Sequence, residues 1–445
     1  MSDPGYVDSW ARLRAEFYLP PGQIYLDGNS LGLLSRRAEQ KLMQAMADWR
    51  RLGVGGWTDT EPAWLDWTER VAAQVAPLLG AAPDEVAVTG QTTVNLHQLL
   101  ATLYDPSAAR RTILADPLNF ASDLHALQSH LRLRGLDPAI HLKLAPSRDG
   151  LTLRTEDLVA AMTPDVQLAL FPAVLFASGQ LLDLEKLTRA AHARGILIGF
   201  DCSHSIGAVA HDFGRIAPDF ACWCHYKYLN AGPGAIGGLY LNRRHFHRPP
   251  GLAGWWGVRA DRRFAMHAKH EPAAGAAGLH IGTPSMLALA PLAGSLELIA
   301  EAGGVGALRA RSLELTRLLR TEVERELSAH GFTVATPRPD SEHGGHLALA
   351  HPDAWRICQA LKAAGVVPDF RPPNLIRLAP APLYNTEDEC REAVARLRTI
   401  MLERRHESFP PPAQPAPLTC RSSTSPARCT PPCRIGPVMR PPIFR

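Results

Sequence analysis

The feature that most constrains this chain is an alternation of apolar runs and amphipathic stretches between residues 85 and 241. The apolar runs predict strands at residues 85–89, 112–115, 166–176, 196–200, 219–224 and 235–241. Helical stretches lie between them, and those at 123–134 and 184–194 are each followed by a glycine that ends the helix. Because strands covered on both faces read as continuous apolar runs, the pattern predicts an α/β fold with a mostly parallel sheet.

The sequence changes character after about residue 290. Helical stretches at 292–299, 308–330 and 390–404 surround short strand candidates at 333–335, 346–350 and 375–378. This arrangement is typical of a small α+β domain. We therefore predict a large domain at residues 51–290 and a small domain at 291–408. The N-terminal segment, residues 1–50, is expected to join the small domain because the two ends of a chain often lie close together.

Residues 409–445 form a tail of unusual composition, with eleven prolines, five arginines and no acidic residue. Such a segment cannot bury enough apolar surface to offset the entropy of ordering it, so we expect it to be disordered. The tail also accounts for the net charge of +4, because the rest of the chain carries 42 basic and 43 acidic residues. Without a basic stripe, no nucleic-acid partner is expected.

Composition also bears on the compartment. No apolar run reaches the roughly 18 residues of a membrane span, and the first five residues lack the features of a signal peptide. Cys202, Cys222 and Cys224 lie in apolar strand-like runs, where a small buried thiol is the expected state. The Cys222–Cys224 spacing has no second ligand pair, so no metal site is predicted. These features indicate a protein of the reducing cytoplasm without a membrane partner.

Polar residues that follow predicted strands are candidates for a binding site, since ligands of such sheets bind beyond the carboxyl ends of the strands. Asp201 follows the apolar run 196–200, where a carboxylate is costly unless it pairs with a cation. A protonated pyridine nitrogen is such a cation, and an ionised Asp201 would keep the ring electron-withdrawing. His204, three residues on, is within reach of the ring's phenolic oxygen. Taken alone, Asp201 is better explained as a helix N-cap and His204 as a structural residue.

Lys227 follows the apolar run 220–224, an unusual position for a merely solvated lysine. Beside a desolvated, cation-rich site its amine would lose its proton more readily and could form an imine. The glycine-containing turn at 230–234 allows the backbone to approach a bound cofactor closely.

Three further segments supply groups that a cofactor and its substrate need. Residues 90–93 join a strand to a helix, so free N–H groups and the Thr92 and Thr93 hydroxyls suit a phosphate; helix capping is the alternative, and the phosphate interpretation depends on Lys227. Phe120 follows another strand and either stacks on a ring or belongs to the core. Arg377 lies in an apolar strand, where a guanidinium suits bidentate capture of a substrate carboxylate or a structural ion pair. Together with Lys227, these groups indicate pyridoxal 5′-phosphate as the cofactor.

Several motifs resemble the kynureninase family, and the resemblance runs from about residue 8 to residue 405. The motifs are YLDGNSLG at 25–32, TVNLH at 93–97, FDCSH at 200–204, the run 219–232, GWWG at 254–257 and IRLAPAPLYN at 376–385. The most specific of them is FACWCHYKYLNAG, which contains Lys227.

The resemblance implies the aspartate aminotransferase fold of pyridoxal phosphate fold type I, within the class V aminotransferases, and an obligate homodimer. It also implies hydrolysis of L-kynurenine to anthranilate and L-alanine, with 3-hydroxykynurenine giving 3-hydroxyanthranilate. Such a reaction belongs to tryptophan catabolism and NAD precursor synthesis.

The resemblance further assigns roles to individual residues. Lys227 would form the Schiff base with the cofactor, with Tyr226 as a proton relay beside it, and Arg377 would bind the substrate carboxylate. The implied cofactor contacts are Thr92, Thr93, Phe120, Ala121, Ser122, Asp123, Asp201, His204, Tyr226, Lys227, Trp255 and Thr283. Trp256 is the alternative to Trp255, and many relatives carry Asn at the position of Thr283.

Two other functions fit parts of the pattern. A cysteine desulfurase or selenocysteine lyase would share the fold, but it needs a nucleophilic cysteine on a small-domain loop, and Cys358 and Cys390 lie in helical sequence. A non-catalytic regulator that binds pyridoxal phosphate would be expected to carry an added DNA-binding region, and none is visible in the sequence.

Overall fold

A computed structural model describes residues 4–106 and 110–412 of the chain. Its strands are β1 (Ile24–Tyr25), β2 (Val86–Val88), β3 (Thr112–Ala115), β4 (Leu142–Leu144), β5 (Val166–Pro172), β6 (Leu197–Asp201), β7 (Phe220–Cys224), β8 (Gly237–Leu241), β9 (Thr333–Val334), β10 (Leu347–Ala350), β11 (Val366–Val367), β12 (Asp369–Arg371) and β13 (Leu375–Leu378). Residues 413–445, most of the tail that we expected to be disordered, lie outside the described part.

The helices alternate with these strands. They are α1 (Pro4–Ala15), α2 (Arg36–Leu52), α3 (Trp64–Leu79), α4 (Thr92–Leu103), α5 (Ala121–Leu133), α6 (Pro138–His141), α7 (Thr155–Ala160), α8 (Leu184–His192), α9 (Phe213–Ile216), α10 (Met286–Glu301), α11 (Gly304–Leu327), α12 (Ala354–Ala363) and α13 (Glu387–Leu402). Local chemistry sets their ends. The Ser35 hydroxyl, for example, accepts the Ala38 N–H at 3.1 Å and begins α2.

The central sheet has seven strands in the order β2-β8-β7-β6-β5-β3-β4. Strands β4, β3, β5, β6 and β7 are parallel, while β8 and β2 are antiparallel to their neighbours at one edge. Every residue of β7 and all but the first residue of β6 are buried. The predicted α/β fold with a mostly parallel sheet is confirmed.

Strands β6 and β7 approach each other closely because of one glycine. A Cβ on Gly199 would lie 2.1 Å from the Phe220 ring, so only glycine leaves room for that ring in the pleat. The aromatic ring fills the space above β6 and holds the two strands in register, with Gly199 opposite Phe220 and Asp201 opposite Cys222. This pairing fixes the ends of the two strands that lead to Asp201 and Lys227.

A second, antiparallel sheet has the order β12-β13-β10-β9. It packs with α11, α12 and α13 around a core of its own that includes Leu315, Ile357 and Ile376. The N-terminal part of the chain joins this region, since β1 pairs in parallel with β11 and Asp27 bridges to Ala379. Both sheets belong to one compact unit that extends to Pro410.

The parallel strands place their carboxyl ends along one edge of the central sheet. Asp201 ends β6, Lys227 lies three residues beyond β7, and Phe120 lies five residues beyond β3. In the described residues, no single helix is long and apolar enough to cross a membrane, and only α10 and α11 taken together, bent by 75°, meet that test. The same residues contain no cluster of three or more His, Cys, Asp or Glu side chains that could hold a metal ion.

Candidate active site

A cavity of about 190 Å³ opens at the carboxyl ends of the parallel strands. Its walls are formed by Thr92, Thr93, Phe120, Ser122, Pro172, Val174, Phe176, Asp201, Ser203, His204, Tyr226 and Lys227. A wider groove of about 670 Å³ lies elsewhere and is lined by surface groups such as Glu156 and Arg215. The smaller cavity is the candidate active site because it alone of the two brings a lysine, a histidine and a buried carboxylate together.

Lys227 faces a neutral histidine inside this cavity. Its Nζ lies 2.8 Å from Nε2 of His204. Burial, followed by the positive charges of Lys227 and Arg377, lowers the pKa of His204 well below its usual value. The imidazole is therefore neutral near pH 7, and its Nε2 can accept a hydrogen bond from Lys227. The rings of Phe120 and Tyr226, with centroids 5.9 Å from Nζ, bound the amine on two sides.

Two carboxyl groups lie together at one side of the cavity, where Asp201 forms part of the wall. Asp201 accepts the Ser203 N–H at 2.8 Å through Oδ1, and Asp123, fully buried in α5, lies against it. Burial first, and then the charge of Asp201, raise the pKa of Asp123 well above its usual value. No cationic side chain of the described residues lies within 4.0 Å of either carboxyl group. The pair is therefore a site of buried carboxyl groups without a cation in direct contact, which suits a protonated ring nitrogen.

The start of α4 provides hydrogen-bond donors that suit an anion. Gln91 precedes the helix without a capping side chain, so the first N–H groups of α4 have no side-chain acceptor. Gly90 adopts a φ of +48°, and a Cβ there would lie 2.6 Å from Oδ1 of Asn95. The half-buried hydroxyls of Thr92 and Thr93 face the cavity beside these N–H groups. Helix N-termini of this kind bind phosphate.

Aromatic rings close the outer side of the cavity. Phe120, which is 42% exposed, meets Phe176 edge to face at 5.3 Å between centroids. Ala121 begins α5 behind Phe120 and does not line the cavity, whereas Ser122 does. Sequence reasoning did not single out Phe176 or Ser203. Phe176 ends the apolar run that predicted β5, and Ser203 lies inside the FDCSH motif. The sequence therefore located both residues near strand ends, but it gave no reason to assign them to the cavity wall.

Arg377 lies outside the cavity wall and is almost fully buried, with 1% of its side chain exposed. Its Nε donates to Asp369 at 2.6 Å, one terminal nitrogen donates to the Phe176 carbonyl at 2.5 Å, and the other contacts Ser30 Oγ at 3.1 Å and also Asp369. The guanidinium therefore reaches the site through the backbone of Phe176, and Asp369 and Ser30 are partners that the sequence did not reveal.

Trp255 and Thr283 also lie outside the cavity. Trp255 is 39% exposed and donates from Nε1 to the Arg263 carbonyl at 2.8 Å. Its neighbour Trp256 is buried, with the guanidinium carbon of Arg263 4.2 Å from its ring centroid. Thr283 is exposed and lines a separate cavity of about 470 Å³ next to the strand-to-helix turn at residues 90–91.

The N-terminal segment Leu26 to Gly32, which we call the strap, connects Lys227 with Arg377. The Gly32 N–H donates to the Tyr226 carbonyl at 2.7 Å, and the Tyr25 hydroxyl donates to the Leu31 carbonyl at 2.7 Å. The strap thus fixes the backbone at Tyr226, next to Lys227. Burial also raises the pKa of Tyr226, so its phenol keeps its proton at neutral pH.

Comparison with solved structures identifies the fold. A cysteine desulfurase from Thermococcus onnurineus NA1 superposes with a TM-score of 0.74 at 18% identity, covering 88% of this chain and 98% of that one. The cystine C-S lyase C-DES, in complex with cysteine persulfide, gives a TM-score of 0.73 at 18% identity, covering 85% and 98%. The chain therefore has the fold of these fold type I enzymes.

Comparison with curated sequences identifies the family. Residues 308–397 match the family model described as the kynureninase C-terminal domain. The kynureninase of Geobacillus thermodenitrificans is 51% identical over 90% of this chain and 94% of its own length. Those of Bacillus anthracis, at 50% over 90% and 94%, and of Shouchella clausii, at 48% over 91% and 94%, agree with it. The chain belongs to the kynureninase family.

Proposed function

We propose that the chain hydrolyses the side chain of L-kynurenine to give anthranilate and L-alanine, and that of 3-hydroxykynurenine to give 3-hydroxyanthranilate. It is accordingly a hydrolase of carbon–carbon bonds in tryptophan catabolism, which feeds NAD precursor synthesis. The observation that carries the proposal is the contact of Lys227 Nζ with neutral His204 at 2.8 Å, within a cavity that also holds a carboxyl pair and a helix N-terminus. About half of the sequence is shared with kynureninases.

The cofactor is pyridoxal 5′-phosphate, and the residues present fit it. The open start of α4 with Thr92 and Thr93 suits its phosphate, and the Asp123–Asp201 pair suits its ring nitrogen. Lys227 is the amine that would bind it, and Phe120 would cover its ring. When bound, the cofactor withdraws electrons and stabilises the negative charge that develops on the substrate's carbon atoms.

The chain's own residues then move the protons. Lys227 Nζ takes the proton from the substrate's α-carbon, and His204 Nε2 holds the amine in place by accepting its hydrogen bond. Tyr226 stands beside the lysine with a protonated phenol, so it supplies a proton in the later steps. Water adds to the substrate's γ-carbonyl, and cleavage of the Cβ–Cγ bond leaves anthranilate and, after protonation of Cβ, L-alanine.

Groups from both sheets would orient the substrate. Arg377 is proposed to recognise the substrate carboxylate, and it stands on β13 of the small domain that we place at residues 291–408. The cofactor groups stand in the large domain that we place at residues 51–290. A substrate held by both is oriented by groups from each domain.

We also propose a homodimer, located in the cytoplasm. Trp255 and Thr283 match cofactor-contact positions of the family, yet neither lines the Lys227 cavity of its own chain. Both are accessible, with Trp255 39% exposed. A second copy that presents these two residues to the first copy's phosphate site would complete both sites. Size-exclusion chromatography with light scattering tests this, and a monomer with full activity would contradict it.

A cysteine desulfurase is the less supported alternative. Such chemistry requires a reactive thiolate. All five cysteines of the described residues are buried, and burial raises the pKa of Cys358 and of Cys390 to about 12. The described part of the chain therefore offers no thiol suited to attack a sulfur atom.

The test is release of fluorescent anthranilate from L-kynurenine by the full chain, with and without added pyridoxal 5′-phosphate. Lys227→Ala is expected to abolish turnover and the visible absorption of the lysine-bound cofactor. Lys186→Ala is the matched control, because the Lys186 side chain is 44% exposed and forms a surface ion pair with Glu156. Sulfide release from cysteine without anthranilate would instead support a desulfurase. Cofactor binding without turnover of either amino acid would support a regulator.

A further inference from the structure

The guanidinium of Arg377 is already occupied by the protein. Each of its three nitrogens has a partner, namely Asp369, the Phe176 carbonyl or Ser30. A ligand that used both terminal nitrogens would have to displace the Phe176 carbonyl and Ser30. Only 1% of the Arg377 side chain is exposed, so a carboxylate bound there would gain from a second donor beside it.

Arg371 stands beside it with most of its donors unused. Its Nε donates to the same Asp369 oxygen at 2.8 Å, and this is the one hydrogen bond between its side chain and the described residues. Its side chain is 31% exposed at the end of β12. The two terminal nitrogens remain as a planar fork, the geometry that matches a carboxylate.

Arg371 does not line the Lys227 cavity itself, but it lies next to a residue of the cavity wall. Its guanidinium carbon lies 5.7 Å from the ring centroid of Phe176, and Phe176 lines the cavity. The charges of Arg377 and Arg371 are both felt by His204, where they add to the larger effects of burial and Lys227 in lowering its pKa. Arg371 is therefore within electrostatic reach of the catalytic groups.

The cluster of Arg371, Arg377, Asp369 and Asp27 has more positive than negative charge. Two guanidiniums share the single carboxylate of Asp369. Asp27 is the other acid nearby, and burial raises its pKa, which weakens its contribution of negative charge. The cluster therefore carries excess positive charge, and an anionic group of a ligand would neutralise it.

We propose that Arg371 is a second carboxylate-recognising residue of the active site, which binds the α-carboxylate of the amino-acid substrate through its two terminal nitrogens while Asp369 holds it against Arg377. Arg377 keeps its proposed role at the carboxylate and anchors Asp369, and Arg371 adds two terminal nitrogens that have no protein partner among the described residues. This inference rests on the proposed kynurenine hydrolysis, because it assigns one contact of that substrate.

The experiment compares Arg371→Met with wild type in the cofactor-loaded enzyme. The KM for L-kynurenine is expected to rise at least about tenfold, the typical effect of losing a charge-assisted contact, with kcat within about threefold. Inhibition is then measured with L-alanine and with L-alaninamide, which lacks the carboxylate. The inhibition constant of L-alanine should rise by a similar factor, and that of L-alaninamide should stay unchanged.

Arg356→Met is the matched control, because Arg356 has the same 31% side-chain exposure and an ion pair with Asp353 in the same region of the chain. It should leave all four constants unchanged. Arg371→Lys keeps the charge without the fork, so its KM should lie between those of wild type and Arg371→Met. Should Arg371→Met fold poorly, the lysine variant carries the test with the same two inhibitors.

The outcome that would overturn the inference is an equal change, or no change, in the inhibition constants of L-alanine and L-alaninamide. Wild-type turnover of L-kynurenine in the same assay separates the two proposals. If wild type releases anthranilate and Arg371→Met behaves like wild type, the role of Arg371 is wrong and the function stands. If wild type releases none, the proposed function itself is wrong.

Discussion

Gly32→Ala is expected to impair catalysis by moving the Lys227 loop. A Cβ on Gly32 would lie 2.4 Å from the Lys227 carbonyl oxygen and 2.2 Å from Oδ1 of Asn230. The first of these atoms belongs to the backbone, so the clash cannot be relieved by a rotamer change. Restoring ordinary contact requires a shift of about 1 Å, and a misplacement of that size near reacting groups costs on the order of 10²-fold in rate.

The cost in stability is smaller. Overpacking at one buried position destabilises a protein by about 1–3 kcal/mol, which leaves a chain of this size folded. The expected result is therefore a fall of about 10²-fold in kcat/KM for L-kynurenine, with near-native circular dichroism and a modest drop in melting temperature.

The assay is anthranilate release at saturating pyridoxal 5′-phosphate. Gly306→Ala serves as the control, because a Cβ at Gly306 meets nothing within 4 Å and the residue lies inside α11. That variant should keep full activity and gain slightly in stability, since Ala is the better helix former by about 1 kcal/mol. A Gly32→Ala enzyme with kcat/KM within about threefold of wild type would refute the claim that the strap positions Lys227.

Three further predictions concern buried carboxyl groups. Asp201→Asn should lower kcat on the order of 10²-fold or more while the cofactor remains bound, as measured by anthranilate release and visible absorption. Burial opposes ionisation of Asp219, but hydrogen bonds from His192, His245 and a backbone N–H outweigh it and lower its pKa. The stability from Asp219 is thus present above about pH 4 and lost as pH falls further, so Asp219→Asn should destabilise the protein at pH 7 and flatten its acid unfolding curve. Burial raises the pKa of Asp116 to about 7, so stability should fall as pH rises from about 4 to 7, and Asp116→Asn should remove this slope in melting curves.

The positions of the polar residues that follow buried strands were predictable from the sequence. Asp201 and Lys227 each come after an apolar run, and the carboxyl ends of parallel strands must meet at one edge of the sheet. Their proximity was therefore predictable once the sheet was recognised. The proposed phosphate site at Thr92 was predictable for the same reason, since Thr92 begins a helix directly after a strand.

Other features could not be predicted because they depend on distant contacts or on short elements. The pairing of Arg377 with Ser30 and with the Phe176 carbonyl joins residues that lie far apart in the chain, and no local pattern reports it. Strand β4 was missed because its residues are partly exposed at the sheet edge and do not form an apolar run. The placement of Trp255 outside the cavity could not be predicted either, since the position of a residue in a motif does not say which cavity the residue faces.

The pairing of β1 with β11 has a consequence for how the enzyme is made. The two strands are separated by roughly 340 residues, so the strap can dock only after nearly the whole polypeptide has left the ribosome. Until then β1 lacks its partner strand β11, and Arg377 cannot make its contact with Ser30. A nascent or truncated chain that ends before β11 would therefore contain Lys227, Asp201 and Thr92 but would lack a complete active site. The enzyme is thus expected to become active only when its synthesis is almost complete.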